Sequence, residues 1–267
     1  MMNELRKVAL SSLMICDPDQ KCRATASMNV AGALLDVRQQ YVEPRGLPGR
    51  LSKPELVHSA KVKQRSVQTI EGRAALLHSL AHIEINAVNL ALDIVWRFPD
   101  MPESFYYDWH CVAKEEATHY QLLATHLQSL GFHYGDFPAH DGLWFMAEKT
   151  KGDILARLGL VPRTLEARGL DASPLVRNKL LSVGDKRGAE IIDVILRDEI
   201  GHVALGNKWY RWVCQQRKLD PIDTYRELTQ RYGAPRLPGP FNLEARRLAG
   251  FDEVEISALL DAKTANI

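Results

Sequence analysis

Hydrophobic positions in this chain recur every three or four residues over long stretches, and no stretch alternates in the manner of a strand. Between Glu71 and Arg97, the residues Leu77, Leu80, Ala81, Val88, Ala91 and Val95 form one stripe, with Glu84 set inside it. That period predicts a long amphipathic helix. Pro99 and Pro102 close it and open the next. A second helix is expected from about Glu103 to Leu130, ended by Gly131 at the C-cap. Its inward stripe is Phe105, Trp109, Val112, Ala113, Glu116, His119, Tyr120 and Leu123. The short turn between the two makes them antiparallel neighbours.

Phe132 to Asp141, with Gly, Pro and two His, reads as a long crossover. A third helix is expected from near Asp141 through Glu148 and Ile154. Gly159 and Pro162 interrupt it just before Glu166, because proline removes an interior N–H donor and forces a kink or break. Gly169 is expected to end that piece, with a short helix near Leu175–Val183 after it. The fourth long helix spans about Lys186 to Arg217, with Ile191, Ile192, Ile195, Glu199, His202, Val203, Gly206 and Tyr210 facing in. The expectation is an all-α chain in three parts. Residues 1–60 form an N-terminal helical extension, 61–217 a four-helix bundle, and 218–267 a Pro-punctuated C-terminal helical extension, packed as one compact domain.

Polar residues on the inward stripes carry the chemistry. Glu84 is followed 32 residues later by Glu116, with His119 three beyond; Glu166 is followed 33 residues later by Glu199, with His202 three beyond. Residues three apart on a helix share a face. A single Glu-x-x-His is ordinarily a solvated surface pair. Two of them, each preceded by a glutamate at nearly the same distance, match the ligand set of a di-iron four-helix bundle. In that set Glu116 and Glu199 bridge the metals and are the candidate catalytic carboxylates. Glu84 and Glu166 are terminal ligands, and His119 and His202 give each metal one imidazole. The four carboxylates balance two divalent cations, which lets the site be buried. Two iron ions suit the donors best; manganese or a mixed pair also suits them. Glu115 and Asp198 stand one residue, about 100°, before the bridging glutamates. They are expected to accept from the ligand imidazoles of the neighbouring helix, Asp198 from His119 and Glu115 from His202. Glu148 is the rival to Glu166 but breaks the symmetry.

The remaining residues add little chemistry. His78, His82 and His110 are expected to pack or face solvent; Tyr120 and Tyr210 are expected to pack, although both lie close enough to the expected site for a redox or gating role. Trp144, Trp209 and Trp212 read as core. Composition narrows the field. A net charge of +1 over 267 residues implies no strong nucleic-acid or membrane field, though it leaves room for a local basic patch, and 46% hydrophobic residues suffice for a sizeable core. No run of about 18 uninterrupted apolar residues exists, and Met1–Ile15 does not read as a signal peptide. The four cysteines, at 16, 22, 111 and 214, form no metal or disulfide pattern, which fits free thiols in the cytoplasm.

Leu196-Arg197-Asp198-Glu199-Ile200-Gly201-His202 resembles the fourth helix of bacterioferritins and their relatives. The blocks Gly72–His78 into Ala81–Glu84, His140–Trp144, Pro162-Arg163, Leu165–Asp171, Asp198–Val203 and Gly239–Asn242 resemble an uncharacterised bacterial family of the ferritin-like superfamily, catalogued as domain of unknown function 455. The resemblance covers about residue 20 to 260. It implies the ferritin-like four-helix bundle with a long crossover and extra helices at both termini, and it favours Glu166 over Glu148.

Two functions compete. In one, a di-iron oxygenase or oxidase uses O2 on an unknown small molecule or a modified-RNA substrate, with an electron-donor protein. In the other, a ferroxidase handles iron in the manner of a ferritin. A third reading is a helical protein whose metal site is not catalytic. The long additions at both ends favour the enzyme, and a monomer or dimer over a cage.

Overall fold

The computed structural model describes residues 4–30, 33–235, 237 and 239–264, and among them the chain is helical with no strand. The helices are α1 (Leu5–Leu13), α2 (Pro18–Ala26), α3 (Ile70–Arg97), α4 (Glu103–Ser129), α5 (Gly142–Lys149), α6 (Ile154–Leu160), α7 (Ala167–Ser182), α8 (Lys186–Gln216), α9 (Pro221–Tyr232), α10 (Leu243–Leu248) and α11 (Glu253–Thr264). A π-helical segment, Val161–Glu166, joins α6 to α7. The chain divides into two compact units, one of residues 1–144 and 183–191, the other of 145–182 and 192–267.

In the first unit α3 and α4 pack along their length, α1 lies on α3 and α2 on α4. Leu77, Ala81, Val88, Ala91 and Val95 of α3 and Phe105, Trp109, Val112, Ala113 and Leu123 of α4 are buried as their spacing predicts. Thr69 caps α3 by accepting the Gly72 N–H at 3.0 Å, and Gly131 closes α4 at φ +86°. The far end of α3 is closed by Arg6 of α1. Its buried guanidinium donates to the carbonyls of Val95 and Trp96, and also to those of Asp36, Val37 and Gln39. A cation there satisfies carbonyls that have no helical partner and complements the negative end of the helix dipole. By length and hydropathy α3 could cross a membrane, but most of it is buried in the protein, and it carries Glu84, Asn86, Asn89 and Asp93. It is a core helix.

The second unit is organised around prolines. The break expected at Pro162 is present: α6 stops at Leu160, and the chain runs through the π-helical segment into Glu166. Gly206 of α8 leaves the room, since a Cβ there would stand 2.7 Å from the Pro162 Cβ. Two expectations for this region fail. The third helix does not run on past Glu148, because Asp153 caps a new helix by accepting the Leu155 N–H at 3.0 Å, so α5 and α6 are separate. Nor does Gly169 end a helix. α7 continues through Gly169 and Pro174 to Ser182. Pro174 has no N–H for the Leu170 carbonyl four residues back, and Asn242 Nδ2 donates to that carbonyl instead, at 3.2 Å. A contact from 72 residues away thus permits a proline inside a helix. Arg246 binds Asp171 and packs under Phe241 and Phe251, and Arg163 binds Glu255 and Asn207. These pairs anchor α10 and α11. The core here is Ala167, Leu170, Val203, Ala245 and Ala249, with Leu196, Ile200 and Phe251 against it.

Two glycines of α8 should respond oppositely to alanine. Gly206→Ala meets Pro162 and should destabilise the protein by about 1–3 kcal/mol. Gly201→Ala meets no heavy atom within 4 Å and should stabilise it by up to about 1 kcal/mol through helix propensity. Thermal or urea unfolding of both variants measures the contrast. Equal effects would show that Pro162 and α8 are not in close contact.

Candidate metal centre

Glu84 faces α4 from the middle of α3, and Glu116 and His119 face α3 from one turn of α4. The three side chains are cut off from water: Glu84 is 4% exposed, Glu116 and His119 0%. His119 Nδ1 stands 3.3 Å from Glu84 Oε2 and 3.3 Å from Glu116 Oε2. Each residue offers a ligand atom within 4.8 Å of the others. Burial disfavours the His119 imidazolium, but hydrogen bonds and the charges of Glu116 and Glu84 outweigh it and raise its pKa to about 11. The cluster therefore favours a protonated His119 beside the two carboxylates.

The geometry suits a metal in place of that proton. Two ligand atoms bound at about 2.1 Å with angles between octahedral and tetrahedral lie about 3.0–3.4 Å apart. The separation of the imidazole nitrogen from each carboxylate falls in that range. Carboxylate oxygen with imidazole nitrogen is a donor set for iron, manganese or zinc. This buried cluster could hold a metal ion.

The second unit carries the other three expected ligands. Glu199 and His202 are buried one turn apart on α8, with His202 Nδ1 3.8 Å from Glu199 Oε1. Glu166 is half-buried at the end of the π-helical segment, where Pro162 has ended the regular helix. Each unit thus carries two of the expected glutamates and one of the expected histidines. Asp198, also half-buried, engages the Arg197 guanidinium at 2.8 and 3.1 Å, and Glu115 is on an exposed position of α4. Glu148, the rival ligand, pairs with Lys151 at 3.4 Å on the surface.

The other candidates pack. His78 stacks on Tyr134, and its Nε2 accepts the Gly135 N–H at 2.9 Å. His82 is buried, with Nε2 3.2 Å from the His140 carbonyl and Nδ1 2.8 Å from the Tyr134 hydroxyl. Nε2 also lies 3.1 Å from the Asn86 Nδ2 amide. Burial lowers the pKa of both histidines to about 4. His110 binds the Met28 carbonyl, and Tyr210 the Pro221 carbonyl. Tyr120 is buried edge-on to Tyr134, and Trp144 and Trp209 are core. Sequence reasoning missed the polar group of Lys21, Asn86 and Asn89, for which no motif signals.

The model of the family described as "Protein of unknown function (DUF455)" matches residues 14–257, and the chain belongs to that family. It is 41% identical over 266 residues to a protein of Haemophilus influenzae described as "Uncharacterized protein", across 95% of this chain and 92% of that one. No solved structure matches.

The charge states can be read by NMR of 15N-histidine-labelled, metal-free protein. His119 should remain an imidazolium at pH 8, while His78 and His82 should be neutral at pH 6. Because the His119 pKa is raised on folding, its contribution to stability is fully present below the ordinary value of about 6.5 and is lost as pH rises toward about 11. Glu84→Gln should lower the His119 pKa; an unchanged value would separate the two side chains.

Proposed function

We propose that this family member is a di-iron carboxylate protein of the ferritin-like kind that uses O2 to oxidise an organic substrate. The observation that carries the reading is the burial of Glu84, Glu116 and His119, with one imidazole nitrogen equidistant from two carboxylates. Carboxylates so placed take up protons or bind cations, because unpaired burial costs several kcal/mol. The repeat of the same residue types at the same spacing as Glu166, Glu199 and His202 supports a second metal.

In this reading Glu116 and Glu199 would be the carboxylates shared by the metals, Glu84 and Glu166 would each serve one metal, and His119 and His202 would give one imidazole apiece. Glu115 and Asp198 orient the imidazoles of the opposite motif. Glu166 stands in a π-helical segment, a distortion frequent at functional sites. The bound metals would supply one chemical capacity, reaction with O2. The chain's own part is to hold them neutral, keep water out and leave coordination positions open. Six protein ligands would leave two metal ions with positions free for other ligands. The helices outside residues 61–217 favour an enzyme, as a monomer or dimer with an electron-donor protein, over a storage cage.

Protein reconstituted anaerobically with Fe(II) should bind two irons per chain and change its optical spectrum on exposure to O2. Glu116→Ala or Glu199→Ala should reduce the metal content to one or none. Glu84→Ala should be milder, since water can replace a terminal ligand. Asp198→Asn should keep the metals but weaken affinity or activity by about 10–100-fold. Fewer than two irons in the wild type would end the di-iron reading. Two irons without a response to O2 would end the oxidase reading.

A further inference from the structure

The first unit holds another buried charge, away from the carboxylate–imidazole cluster. Lys21 of α2 is 1% exposed. Its Nζ donates to the Gly49 carbonyl at 3.0 Å and to Asn89 Oδ1 at 2.5 Å, both neutral. Among the described residues no carboxylate pairs with it. Burial, and then the nearby Arg50 charge, lower its pKa to about 7. A buried ammonium without a counter-ion is a costly arrangement, and proteins rarely keep one.

Lys21 forms part of the wall of a cavity of about 160 Å³ between α2, the chain around Gly49–Leu56 and α3. Arg50 lies on the same wall, but it already has a counter-ion in Asp141, at 2.7 Å. The amine with only neutral acceptors is that of Lys21. The walls also include Ile85, Leu51 and Leu56, which are apolar. The volume is that of about five waters in the liquid, so an occupant must be small. Asn86 and Asn89 leave α3 about 200° and 140° around the helix from Glu84. The cavity and the metal ligand therefore lie on different sides of the same helix.

We propose that this cavity binds a small organic acid, whose carboxylate supplies the counter-ion that Lys21 lacks while its short hydrocarbon part lies against Ile85, Leu51 and Leu56. The site is separate from the metal reading and stands whether or not iron binds.

Calorimetric titration with butyrate tests this on the full-length protein, both as purified and after chelator treatment. Saturable binding is expected in both, weakened at least tenfold by Lys21→Met. Leu56→Trp keeps the lysine but fills the cavity, and it should weaken binding as well. It decides the matter if Lys21→Met does not fold. The proposal is overturned by no binding up to about 10 mM, by binding that survives both substitutions, or by binding lost with the metal, which would place the acid at the cluster. Tighter binding of inorganic phosphate than of butyrate would overturn the organic-acid assignment.

Discussion

Two carboxylates share one imidazole nitrogen inside a helix pair, and the surrounding structure has to accommodate that. Such groups cannot be enclosed singly, because an uncompensated charge in the core costs several kcal/mol. Glu84 and Glu116 must therefore be satisfied together, through His119 and its proton or through a metal. This sets the rotational register of α3 against α4, since a shift of one residue would turn a ligand about 100° away. The apolar stripes pack around that register: Ala81, Val88, Phe105, Val112, Ala113 and Leu123 are all buried.

Outside the cluster, buried arginines do much of the joining. Arg6 ties α1 and the chain near Gln39 to the last carbonyls of α3. Arg246 ties α10 to Asp171 of α7, and Arg163 ties the π-helical segment to Glu255 of α11. A guanidinium suits this work because it spreads one charge over five donors. Each of these contacts holds a terminal helix by polar links, so the terminal helices do not depend on apolar packing alone. Lys21 departs from the pattern. It is as buried as the arginines, yet both its acceptors are neutral.

Much of this was legible in the chain before any coordinates. Apolar spacing marked α3, α4 and α8 to within a residue or two, because a long helix with one buried side imposes its period on the sequence. Pro162 marked the break before Glu166, because a missing N–H acts locally wherever the chain folds. The Glu-x-x-His motifs marked two faces rich in donor atoms for the same local reason. Shorter and less regular pieces were misread. Asp153 as a cap divides α5 from α6, and α7 runs on through Pro174, where Asn242 donates to the Leu170 carbonyl that the proline leaves without an N–H.

The sequence by itself therefore determined where the long helices run, which side of each is buried, and which positions on those sides carry carboxylate or imidazole donors. Tertiary structure decided that Glu84 and Glu116 meet at the same nitrogen of His119, that Glu148 faces a lysine on the surface, and that Lys21 is enclosed beside a cavity. The physical reason is that helical periodicity records direction about one axis only. It says that a side chain faces inward, but the identity of the group it meets depends on how another helix is placed, and no local pattern encodes that.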